Sequence, residues 1–135
     1  ETLVEGVFAC GNVLQVHDLV DFVSEEAELA GFYASEYVKQ GNKKRAFVDV
    51  KNGKNINYVV PQKIDVNVPG NVKLFFRVTN TFRNCKITIK SGENVLLQRK
   101  KQIATPGEME NVILTESKVK LIKENVEIYL EEENQ

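Results

Sequence analysis

Two hydrophobic periods divide the chain. Residues 3–10 (LVEGVFAC) form a short, nearly continuous apolar run that stops at Gly11-Asn12, which predicts a strand buried on both faces. From Val16 onward the period lengthens. Val16, Val20, Val23, Ala27, Ala30, Ala34 and Tyr37 recur at alternating steps of four and three, the signature of one helix face. Asp18 and Asp21 at its start and Lys39 at its end suit the helix dipole, and Gly41 is placed to end it. The alanines on the stripe would let the helix axis approach a flat neighbour closely.

After the polar, basic residues 41–45 (GNKKR), read as a linker, the period falls to two. Phe47, Val48 and Val50 predict one strand, and Ile56, Tyr58 and Val60 another. Val72, Leu74, Phe76 and Val78 predict a third, with Lys73, Arg77 and Thr79 on its other face. Phe75 also falls on that other face, where it points to a covered surface. Cys85, Ile87 and Ile89 alternate with Lys86, Thr88 and Lys90, and Ser91-Gly92-Glu93-Asn94 turns the chain into residues 95–101 as a hairpin. Residues 109–114 and 126–130 complete the set, the last with Val126, Ile128 and Leu130 facing inward. The predicted fold is mainly β with one long N-terminal helix. Residues 42–135 are expected to form an antiparallel β-sandwich of immunoglobulin or fibronectin type, preceded by a strand–helix unit over residues 1–41. The immunoglobulin signature of paired cysteines around a tryptophan is missing, since the chain contains no Trp.

Composition restricts function more than fold. With 42% hydrophobic residues the chain can build a core. A formal net charge of -1 removes the electrostatic drive for nucleic-acid binding, so the basic groups 43–45 and 99–101 are read as solvated faces. No apolar run approaches the roughly 20 residues that span a bilayer. Cys10 and Cys85 form neither a CxxC pair nor a disulfide framework, which favours a reducing, cytoplasmic setting. A cysteine in an apolar strand is ordinarily an inert core residue, and both are read so. His17, the single histidine, has no companions with which to hold a metal and is plainly explained as a capping or surface group. The spacing of Asp18 and Asp21 is explained by the helix dipole alone.

The residues GVFACGN (6–12), followed by the helix, resemble the second flavin-binding motif of the FAD-dependent pyridine nucleotide-disulfide oxidoreductases. Gly6, Val7, Phe8, Ala9 and Gly11 match a pattern G-V-[FY]-A-x-G-D, and Asn12 stands where the family has Asp. The stretch VHDLVDFVSEEAELAG (16–31) is similar to a bacterial subgroup that carries an extra C-terminal β-domain. The resemblance implies that Asn12, beside Gly11, contacts the ribityl chain of FAD through an amide in place of a carboxylate. It further implies that Val16, His17 and Asp18 border the isoalloxazine, where a helix N-terminus favours negative charge on reduced flavin.

On this resemblance residues 1–41 close a Rossmann-like FAD domain, and residues 42–135 serve as a lid or docking domain. The parent would be an NAD(P)H-linked oxidoreductase passing electrons to an acceptor or partner protein. The chain has no GxGxxG turn and no redox cysteine pair, so the segment alone is expected neither to retain FAD nor to be active. It opens on Glu1 close to the motif, as an excised domain would. The strand and the helix stripe are then expected to pack on the sandwich or to pair with a second copy of the chain as a homodimer. The alternative from another class is a noncatalytic immunoglobulin-like interaction module whose N-terminal helix is its own.

Overall fold

Alternating side chains beyond residue 45 build two β-sheets around one core. In this computed structural model, which describes residues 1–41 and 45–133, the chain separates into two units, Glu1–Lys44 and Arg45–Gln135. Most of the predicted linker 41–45, most of the basic group 43–45 and the end of the C-terminal tail lie outside the described residues.

The second unit carries β1 (Phe47–Asn52), β2 (Ile56–Val60), β3 (Lys63–Asp65), β4 (Val72–Val78), β5 (Phe82–Ser91), β6 (Asn94–Ala104), β7 (Glu110–Leu114) and β8 (Val126–Glu132). A five-stranded sheet runs in the order β3-β1-β8-β5-β6, and a three-stranded sheet in the order β2-β4-β7. Their apolar faces share one cluster: Leu74, Phe76 and Val78 from β4 meet Ile87 and Ile89 from β5 and Ile128 and Leu130 from β8, all essentially sealed from water. Phe75 lies on the opposite face of β4 and is buried too, beneath the Lys73 ammonium 5.2 Å from its ring.

The all-antiparallel expectation requires correction. β1 and β8 pair in parallel, Val50 opposite Val126 and Asn52 opposite Ile128. Only long-range pairing can show this, because parallel partners need no hairpin signal between them. Two short elements also escape the period. β3 has three residues, too few for an alternation to register. The single-turn helix α2 (Glu116–Val119) leads into Ile122 and buries Val119 with it.

In the first unit the helix α1 spans Val20–Gln40, and Gly41, at φ 63°, ends it with its N–H on Tyr37 O at 2.9 Å. Residues 3–10 are not a strand. Gly6 turns the chain at φ 76°, Thr2 N–H donates to Val7 O and Val7 N–H to Val4 O, so the segment folds on itself. A strand needs a ladder partner for its backbone groups, and among the described residues of this unit none is provided. The segment covers part of α1 instead. Phe8 meets the Tyr37 ring edge-on at 6.4 Å, and Gly6 lies so close beneath that ring that an added Cβ would stand 2.8 Å from Cε1.

Candidate functional site

The candidate site is the loop of residues 10–19 with the first turns of α1. Cys10 is extended, and Gly11–Val13 form a short 3-10 turn that Leu14 closes with its N–H on Gly11 O at 2.9 Å. Gly11 sits at φ 70°, a left-handed conformation that disfavours any side chain. Space is not the reason, since an added Cβ would meet only Val23 Cγ1 at 3.5 Å.

The five residues singled out from the sequence do not share one environment. Gly11 is buried, and the His17 side chain is fully enclosed. Asn12, Val16 and Asp18 are exposed. The sequence places residues 16–18 at the helix start, but α1 begins at Val20, so they belong to the loop before it. Leu19, the residue before the helix, is extended at φ -129° and ψ 138°, and its own side chain makes no cap bond. Asp21 is the acidic residue of the first turn.

The cause is Glu26. Its carboxylate accepts the Gly11 N–H at 2.6 Å and the Gln15 amide at 3.2 Å, and Oε2 stands 3.1 Å from His17 Nε2. Drawing Gln15 and His17 back onto the second turn of α1 requires a reversed chain, which a helix begun at Val16 could not supply. Gln15 is 6% exposed, and its Oε1 has no hydrogen-bond partner. An orphaned buried acceptor of this kind is costly and is relieved by any donor that reaches it.

Gln15 and Glu26 were not singled out from the sequence. The signal for Glu26 was ambiguous: steps of three and four from Val23 to Ala30 pass through residue 26 or residue 27. The apolar choice was Ala27, yet Ala27 is exposed and Glu26 lies on the covered face.

The second unit offers two further polar groupings. The buried Glu110 of β7 receives Arg99 Nη2 at 3.2 Å and a closer contact from Lys101 Nζ, both from β6. Arg99 and Lys101 stand opposite Ile87 and Cys85, so they occupy the inner face at the sheet edge and are not simply a solvated patch. Lys100, between them, faces out and pairs with Glu133 at 2.8 Å, which holds that carboxyl below the usual range. An open depression of about 710 Å³ is lined by Lys51, Lys90, Glu93, Glu124 and Glu127. There Lys90 and Glu127 pair at 3.2 Å, a bond that raises the Lys90 ammonium above its ordinary value.

Both cysteines are free thiols. Burial pushes the Cys85 thiol up, and its Sγ donates to Lys101 O at 3.5 Å. Among the described residues no group of three or more His, Cys, Asp or Glu could hold a metal ion, and no helix is long and apolar enough to cross a membrane. Comparison of the chain with protein-family models, with curated proteins and with solved structures finds no match.

Proposed function

We propose that the chain is the C-terminal portion of an FAD-dependent, NAD(P)H-linked oxidoreductase, with residues 1–41 completing a flavin site and the β-rich unit acting as its lid or docking domain. The observation that carries this reading is the GVFACGN turn, with Gly11 in a left-handed conformation that favours glycine and Asn12 exposed beside it. Its residues fit the group they would serve. Asn12 would present an amide to a ribityl hydroxyl, and Gln15 Oε1 is a buried acceptor lacking a donor.

When bound, the flavin would supply the two-electron redox step that protein side chains lack. The segment would contribute binding and position: Gly11 and Asn12 toward the ribityl chain, and Val16, His17 and Asp18 beside the ring. NAD(P)H and a second acceptor would be the partners, and the setting would be cytoplasmic. The rest of the FAD site must come from a glycine-rich strand–turn–helix outside these residues.

The test is visible flavin absorbance of the purified protein carrying this segment in its uninterrupted reading frame. Bound FAD, together with a glycine-rich turn upstream, is the expected result. A colourless protein, or a frame without that turn, overturns the reading.

A second reading is a noncatalytic interaction module with an immunoglobulin-type sandwich. It is favoured by the exposure of Leu3 (97%), Val13 (85%) and Val38 (82%), apolar side chains that a binding partner or a second copy would cover. A start codon immediately before Glu1 would select it over the enzyme.

A further inference from the structure

In the first unit one carboxylate gathers three groups of the loop before α1. Glu26 is 14% exposed at its side chain, while its neighbours Glu25 and Ala27 are open to water. Three residues of a single loop, Gly11, Gln15 and His17, are tied to it. An exposed helix position has no reason to turn a charge inward unless the groups it meets repay the lost hydration. Here they do, with two N–H donors and an imidazole edge around one carboxylate. Bonds to an ionised acceptor are about twice as strong as neutral ones.

The chemistry of that contact also fixes the ring. An ionised carboxylate only accepts hydrogen bonds, so the imidazole edge facing Oε2 must carry its proton on Nε2. Meanwhile the Gly11 N–H, on the same oxygen, anchors the left-handed residue next to Asn12. One side chain thus sets the position of the turn and the tautomer of the histidine together.

We propose that Glu26 is the positioning residue of the candidate flavin site, acting through Gly11 and His17 rather than on the cofactor. This rests on the flavin reading, because Gly11, Asn12 and His17 are the residues that reading places against FAD. The hold on the loop stands on the geometry alone, so the two can fail separately.

His17 is the single histidine of the chain, so its ring nitrogens give one unambiguous set of ¹⁵N signals. The 135-residue chain is compared with Glu26→Gln and Glu26→Ala, with helix content followed by circular dichroism. The native chain is expected to show the neutral ring as the Nε2–H tautomer and a downfield Gly11 amide. In Glu26→Ala the tautomer preference collapses and the amide moves upfield. Glu26→Gln, which keeps the size and one acceptor oxygen, falls between. If Glu26→Ala loses the helix, Glu26→Gln decides by its ring shifts. Unchanged ring and amide signals in a folded variant would overturn the proposal.

The same substitutions in the full reading frame are expected to weaken FAD retention about tenfold or more, the scale of a lost charge-assisted hydrogen bond. Equal FAD retention despite an altered tautomer would remove Glu26 from the flavin site while leaving the flavin reading intact. Glu26-dependent ring signals in a protein that never holds FAD would sink the flavin reading, and with it the site role, while the hold on the loop remained.

Discussion

At the scale of single residues, tertiary partners give roles that residue type alone does not. Ser91 reads as a turn former, yet it is 1% exposed and its hydroxyl ties a knot: Oγ donates to Glu124 O at 3.0 Å and receives the N–H groups of Lys123 and Glu124 at 3.2 and 3.1 Å. Ser91→Ala would strand those backbone groups, and we expect a loss of about 1–3 kcal/mol in urea denaturation. The thiols provide a second check. Cys85 is buried, and its raised pKa leaves little thiolate at mildly alkaline pH, whereas Cys10 is partly exposed. Alkylation followed by mass spectrometry should modify Cys10 first and Cys85 only as the protein unfolds. The sign for stability follows: because folding raises the Cys85 pKa, its contribution is full below the ordinary thiol value and is lost as pH rises through the folded one.

At the scale of elements, the ends of the sheets carry the main departures from the sequence pattern. β6 is an edge strand, and long edges invite pairing with other chains unless charges interrupt them. Arg99 and Lys101 provide that interruption on the inner face, and Glu110 on β7, the edge of the other sheet, pairs with both. The cluster is asymmetric: Arg99 keeps 43% of its side chain in water, while Glu110 keeps 4%. Removing the acid lets the cations turn outward, but removing both cations leaves a buried charge alone. The double substitution Arg99→Met with Lys101→Met should therefore cost about 3 kcal/mol or more by chemical denaturation, and Glu110→Gln clearly less. An equal cost for the two would contradict this account. The helix shows the same division. Its existence and its end at Gly41 follow from local pattern, but it starts only at Val20, after a loop in which Gln15 and His17 turn back to Glu26.

For the whole molecule, burial is distributed very unevenly. Every buried hydrophobic residue belongs to the second unit, whereas among the described residues of the first only Gly11, Gln15 and the His17 side chain are enclosed. α1 is 21 residues long and buries none of them. Helices without a packed face are marginal in water, while two sheets around a shared core satisfy the usual condition for cooperative folding. Residues 45–135 made alone should unfold in one cooperative transition with β-type circular dichroism, and residues 1–44 alone should show little helix at room temperature. A stable helix in the shorter piece would show that its few side-chain contacts suffice.

By itself the sequence determined what depends on near neighbours: the alternation that makes seven of the eight strands, the long helix and its glycine end, the Ser91–Asn94 hairpin and the GVFACGN resemblance. These rest on side-chain periodicity and turn conformation, which are properties of a few consecutive residues. Only the tertiary structure decided the parallel pairing of β1 with β8, the inward turn of Arg99 and Lys101, the folding of residues 3–10 against α1, and the convergence of Gly11, Gln15 and His17 on Glu26. Each of these is a satisfaction of backbone or charge by a group far along the chain or across a loop. A polar residue's partner is not encoded in its own position, so a glutamate one step from the apolar stripe reads as solvent-facing until the loop that needs its carboxylate is seen beside it.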